Sequence, residues 1–232
     1  ATVHKHAAGN VLVVAGSEGK LGAAELTTRS AMRGGAGLVT TATWPETAKA
    51  IAARATEGMT AVIDPAHIES SLDKILEGRR VVAIGPGFGL DDKARRAVDH
   101  VVLGWDGTKV VDADAITHFV GRAKELAKAK GRMVLTPHPG ELARLLGSTA
   151  KAINAHRLDP AREAAHVTGR LVVPNAFQSL IADPDGHVNV HPTDNPGRAS
   201  HRMRAVPGRR HADQPGHATT TYADPPHAVS PP

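Results

Sequence analysis

Short apolar runs alternate with stretches of helix length along most of this chain, and that alternation leaves few folds open. Val11 to Ala15 is a continuous apolar run closed by Gly16, the form of a strand buried on both faces. Ala23 to Arg33 reads as a helix, ended by Gly34-Gly35-Ala36-Gly37, and Leu38 to Thr43 is rich in β-branched residues, which predicts a second strand. Trp44-Pro45-Glu46 opens a helix to about Arg54, Gly58 to Asp64 is ambiguous, and His67 to Glu77 reads as helical. Val81 to Ile84 predicts another buried strand, followed by a helix near Asp91 to Val102. Lys109 to Val111, Met133 to Leu135 and Leu171 to Val173 continue the strand series. Helices are expected from Asp112-Ala113-Asp114-Ala115 to about Lys128, over Leu142 to Leu146 and over Asp159 to Val167. Ser179 to Ala182 and His187 to Val190 flank Asp183-Pro184-Asp185-Gly186, a hairpin signal. The pattern predicts an α/β fold: a mostly parallel sheet, helices on both faces, and a C-terminal β-hairpin.

A length of 232 residues suits one sizeable domain. With no cysteine in the chain, disulfides and thiolate metal sites are excluded and a cytoplasmic setting is expected. No apolar run approaches a bilayer span, so no membrane partner is expected. The chain opens at Ala1 without an initiator Met, which suggests processing, or excision from something longer. Of the formal charge of +5, the stretch from Arg198 onward carries +3, as five Arg against two Asp. The body is therefore near neutral, and nucleic acid is not expected as a partner.

Glycine-bearing turns follow the strands ending near residues 16, 84 and 135, which places them together at the carboxyl edge of the sheet, where open α/β folds keep their ligands. Gly16, Gly19 and Gly22 fall three apart, matching neither the dinucleotide fingerprint nor the P-loop. Gly85-Pro86-Gly87-Phe88-Gly89 leaves backbone that an anionic or flat ligand can approach closely. Asp112 and Asp114 could hold a metal, although capping of the following helix is the favoured role. Thr136-Pro137-His138-Pro139-Gly140-Glu141 is a proline-bracketed corner between a strand and a helix, with free N–H groups beside a histidine.

Taken in order, these stretches resemble the ADP/ATP-dependent NAD(P)H-hydrate dehydratases of the ribokinase-like superfamily. The resemblance rests on Gly16-Ser17 with Gly22-Ala23-Ala24, on Ala31 to Thr40, on Gly85 to Gly89 and on Val111 to Ala115. It continues through Thr136 to Glu141 with Arg144 to Gly147, and Ile181 to Gly186 leading to Asn195-Pro196-Gly197. It implies a ribokinase-like fold and a nicotinamide-nucleotide repair enzyme, a hydro-lyase that dehydrates the S-epimer of NAD(P)H hydrate at the expense of ADP or ATP with Mg²⁺. It further implies that Ala36, Gly87, Gly89, His138, Pro139, Gly140, Glu141 and Arg144 line the hydrate pocket. Asn195 and Gly197 would contact the nucleotide, with Asp112 and Asp114 as metal candidates. Small nucleotides are the implied partners, and homo-oligomers are common in the family.

The chain departs from the family's pattern at two places. Where the family has a nucleotide-holding Lys-Gly pair after a strand, this chain has Pro174-Asn175-Ala176-Phe177. Where the family follows Asn-Pro-Gly with a G-[TS]-G-D turn, whose N–H groups and Asp carry the phosphoryl transfer, this chain has Arg198-Ala199-Ser200-His201. No catalytic residue is identifiable. Residues 1–197 are thus expected to form the domain, without the family's last helices. Residues 198–232, with no Leu, Ile or Phe, are expected to be a basic, disordered tail produced by out-of-frame translation. Two other readings stand beside the dehydratase: a small-alcohol kinase of the thiazole or pyrimidine type, and a non-catalytic nucleotide-binding remnant.

Overall fold

The computed structural model describes residues 9–54, 57–155, 158–175 and 179–191, and the backbone of 220–222. β1 (Asn10–Val14), β2 (Leu38–Thr43), β3 (Met59–Val62), β4 (Val81–Ile84), β5 (Thr108–Val111), β6 (Met133–Leu135) and β7 (Leu171–Val172) are mutually parallel. β8 (Ser179–Ala182), β9 (Val188–His191) and β10 (Thr220–Tyr222) extend the sheet antiparallel. The ten strands run in the order β10-β9-β8-β7-β6-β5-β4-β1-β2-β3. The mostly parallel sheet and the hairpin follow the expectation from sequence, and Met59–Val62 resolves the ambiguous stretch as a strand. Three residues of the stretch after Gly197, those of β10, pair with β9.

Helices α1 (Leu21–Arg33) and α2 (Pro45–Ala52) connect β1 to β2 and β2 to β3. α3 (Ile68–Leu76) then carries the chain back across β2 and β1 to β4. The strand order therefore reverses between β1 and β4, and their carboxyl ends open on a crevice there. α4 (Asp92–Asp99) continues as a π-helical turn over His100–Gly104. The helix expected to run to about Lys128 is instead broken. α5 (Asp114–Thr117) makes a single turn, Gly121 adopts φ +76°, and a 3₁₀ segment covers Ala123–Lys128. The glycine in the left-handed region stops an α-helix that the surrounding residues would otherwise favour. α6 (Pro139–Leu146), α7 (Ala150–Ala155) and α8 (Leu158–Thr168) complete the helices among the described residues.

The two faces of the sheet are covered unequally. On one face Leu12, Val14, Val82, Ile84, Val111, Leu135 and Val172 are buried in the larger core with α3, α4, α6 and α8. On the other, Val13, Ala15 and Val39 pack with Ala24 and Ala31 of α1 and Ile51 of α2. The register sets Val13 beside Ala83, Ala83 beside Val110, and Val110 beside Val134. These last three stay only partly buried, and Leu171, next in the row, is 40% exposed. Val81–Ile84 is therefore buried on one face rather than on both. Lys109 is wholly buried, and its Nζ donates to the carbonyls of Trp105 and Lys130. Burial, and next the Arg170 charge, lowers its pKa to about 8.

Candidate functional site

Four loops meet at the carboxyl edge, those after β1, β4, β5 and β6, because their strands are neighbours in the sheet. Gly16 N–H donates to the Pro86 carbonyl (2.9 Å) and Gly85 N–H to the Val14 carbonyl (3.0 Å). Ser17 Oγ donates to the Gly87 carbonyl at 2.8 Å, so the first and second glycine loops are laced together. A Cβ on Gly87, at φ +60°, would stand 3.0 Å from the Cβ atoms of Lys20 and Ala23. That closeness accounts for glycine at the position.

The loop after β5 closes on the same cluster. Asp114 Oδ2 accepts from Gly89 N–H (2.9 Å) and from Lys20 Nζ (3.0 Å). His118 Nε2 lies 3.0 Å from the Gly89 carbonyl. Neither aspartate caps α5 in the expected way: Ala113 occupies the cap position at φ +51°, with no side-chain cap. Asp112 Oδ1 accepts from the N–H of Ala113 at 2.9 Å. Among the described residues no group of three or more His, Cys, Asp or Glu could hold a metal ion. Part of Asp114 is already spent on Lys20 and Gly89, so these residues do not fit a resident cation cage.

At the fourth loop, His138 is the N-cap of α6. Its Nδ1 accepts from Gly140 N–H (2.9 Å) and Glu141 N–H (3.3 Å), and its Nε2 lies 3.0 Å from Glu141 Oε1. Glu141 Oε2 in turn accepts from His138 N–H at 2.8 Å, closing a capping box. Both ring nitrogens are thus engaged within the first turn of the helix. Pro139 sits at the start of α6, where its missing N–H costs nothing. A Cβ on Gly140 would stand 2.8 Å from His138 Cε1, so only glycine lets the ring fold over the turn. Arg144 is exposed about one turn beyond Gly140 on α6, with its Nη1 3.7 Å from that Cβ position.

The structure brings Gly87, Gly89, Asp112, Asp114 and the His138–Arg144 run to one edge. It does not bring Ala36 there. The Ala36 N–H bonds the Ala31 carbonyl at the end of α1, and Gly37 bonds Gly9 ahead of β1. Ala36 is consequently at the amino edge, a strand's length away. Asn195 and Gly197 lie outside the described residues. Pro174-Asn175 keeps the strand's course: Val173 and Asn175 N–H donate to the carbonyls of Leu135 and Pro137, both at 2.8 Å, and Asn175 Nδ2 donates to Thr136 at 2.8 Å. Sequence reasoning missed Ser17, Lys20, Trp44, His118 and Asn175 at this edge. Of these, only Ser17 and Lys20 stand within a glycine-rich stretch that could have drawn attention.

Residues 11–201 match the NAD(P)H-hydrate dehydratase family. The chain is 39% identical over 207 residues to the bifunctional NAD(P)H-hydrate repair enzyme Nnr of Moorella thermoacetica, an alignment covering 86% of this chain and 39% of that one. It thus spans about two fifths of that relative's length. It superposes, with a TM-score of 0.72 and 30% identity, on the ADP/ATP-dependent NAD(P)H-hydrate dehydratase from Bacillus subtilis co-crystallised with ATP/Mg²⁺, covering 89% of this chain and 72% of that one. A ribokinase-like superfamily protein from Enterococcus faecalis shares the fold at a TM-score of 0.71 and 23% identity, over 88% of this chain and 71% of that one.

Proposed function

The chain belongs to the NAD(P)H-hydrate dehydratase family, and from that premise we propose that it binds NAD(P)H hydrate together with ADP or ATP at the carboxyl edge of its sheet. The reaction of the family at such a site is nicotinamide-nucleotide repair. A phosphoryl group from the nucleotide is placed on the hydroxyl of the S-epimer of the hydrate and leaves as phosphate, which restores NAD(P)H. The observation that carries this reading is the convergence of the loops after β1, β4 and β6 on the β1/β4 crevice, each with glycine backbone or a helix N-terminus that can receive phosphate oxygens. Gly87, Gly89 and the His138–Arg144 turn would line the hydrate pocket. Mg²⁺ would arrive as the counter-ion of the nucleotide's phosphates rather than in a protein cage.

The glycine turn and Asp that relatives of this kind place after Asn-Pro-Gly are not in the sequence following Gly197. The expected result for this chain is therefore binding without turnover. Thermal unfolding with added ADP and NADPH tests binding, since a ligand held only by the folded state raises the midpoint. Recovery of near-ultraviolet absorbance from NADH hydrate with ADP tests turnover. Absence of any midpoint shift would sink the reading, whereas turnover would assign the missing base to some other residue. A second copy of the chain would cover the partly exposed row Val81, Ala83, Val110 and Val134, so a homo-oligomer belongs to the same proposal, and sedimentation velocity checks it.

A further inference from the structure

We propose that Asp114 is a positioning residue of this site, fixing the Gly85–Gly89 loop at the height at which an anionic, phosphate-bearing ligand can use its backbone. The proposal rests on the carboxyl-edge reading above. Three observations support it independently of the ligand. First, one carboxylate oxygen gathers both the Gly89 N–H and the Lys20 ammonium, at 2.9 and 3.0 Å, so two residues from separate loops share one acceptor. Second, the Gly89 peptide is gripped on both sides from a single short stretch, its N–H by Asp114 and its carbonyl by His118. Third, Ala113 is the one non-glycine residue at positive φ among the described residues, at φ +51° and ψ −121°. A strained residue persists where its surroundings over-determine it, and here the strain turns Asp114 toward Gly89.

The packing around Gly89 leaves this task to the hydrogen bonds. Gly85, Gly87 and Phe88 are packed, but a Cβ at Gly89 would meet nothing closer than 3.9 Å, so sterics alone do not seat this end of the loop. Lys20 adds the electrostatic part: its ammonium offsets a carboxylate that would otherwise repel phosphate from the crevice. Because the Asp114 side chain is 20% exposed and that of Lys20 is 49% exposed, the pair stands at the mouth rather than in the core.

Hydrogen exchange tests the proposal without any ligand. In the unaltered protein the Gly89 amide should exchange about tenfold more slowly than the Gly87 amide, which has no partner among the described residues. Asp114→Ala should erase that difference, and Asp114→Asn, which keeps an acceptor oxygen, should restore it. ADP affinity should follow the same order, falling about tenfold in Asp114→Ala and recovering in Asp114→Asn. Equal exchange at Gly87 and Gly89 in the unaltered protein would overturn the proposal even if Asp114→Ala failed to fold. So would Gly89 protection that survives in Asp114→Ala. Loss of protection in a protein that never bound ADP or NADPH would uphold the positioning role and overturn the nucleotide reading instead.

Discussion

A Cβ placed on Gly85 would stand 1.9 Å from the carbonyl oxygen of Asp112 and 2.6 Å from the Cβ of Ala115. The loops after β4 and β5 therefore touch backbone to backbone, at a residue whose φ of +120° only glycine adopts without strain.

Gly85→Ala should consequently be among the most damaging single changes in the chain. Backbone strain and overpacking act at the same atom, and a loss of more than about 3 kcal/mol is expected. Urea unfolding gives the value, and a loss below about 1 kcal/mol would mean that the two loops can part without cost.

His138 combines a capping role with a place at the crevice, and two substitutions separate them. His138→Ala removes the acceptor for the Gly140 and Glu141 N–H groups and should cost about 1 kcal/mol, together with any ligand-induced rise in midpoint. His138→Asn supplies a side-chain oxygen suited to the cap. It should recover the stability and, because both ring nitrogens are occupied within the turn, the ligand response as well. Recovered stability without ligand response would instead place the imidazole in direct contact with the ligand.

Phe88 is fully buried and stacks on Trp44 with ring centroids 5.1 Å apart. Phe88→Ala should cost about 3–5 kcal/mol through cavity formation. It should also shift the fluorescence of Trp44, whose Nε1–H points to the Phe88 carbonyl at 3.5 Å. Denaturant titration followed by tryptophan emission reads both at once.

Lys109 gives the fold a pH dependence of known sign. Its folded pKa of about 8 lies below the ordinary 10.5, so between those values the unfolded chain binds more protons. Stability from this group must rise as pH increases through that window, and is lowest below pH 8. The neutral amine still has two N–H groups for the carbonyls of Trp105 and Lys130. Comparing unaltered protein with Lys109→Met from pH 7 to pH 10 should show the unaltered protein gaining relative to the variant. A flat difference would indicate that Lys109 keeps an ordinary pKa.

Local pattern carried most of the fold. The apolar run Val11–Ala15, the β-branched run Leu38–Thr43 and the Asp-Pro-Asp-Gly turn each lie within one element, and each is found where periodicity and turn chemistry place it. What escaped depends on contacts between distant residues. The half-covered state of β4 follows from which helices reach which face, and nothing in Val81–Ile84 itself encodes that. Asp112 and Asp114 read as a cap or a metal pair because both roles use the same residue types. Only the positive φ of Ala113 and the approach of Lys20 and Gly89 distinguish the contacts observed. The break in the helix beyond Thr117 was legible in principle, since Gly121 stands in plain view in the sequence.

Pro174 gives the sheet a seam. Val173 and Asn175 turn their N–H groups to the chain leading out of β6, so the alternation of the strand aims the Pro174 nitrogen, which carries no hydrogen, toward β8. The register between β7 and β8 rests on Val172 opposite Ala182. Leu180, Ala182 and Val188 still pack into the larger core, so the hairpin is held to the parallel body by side chains more than by sheet hydrogen bonds, the arrangement from which a less stable cooperative unit is expected. As denaturant is added, the β8–β9 ribbon should let go while the crevice between β1 and β4 is still closed.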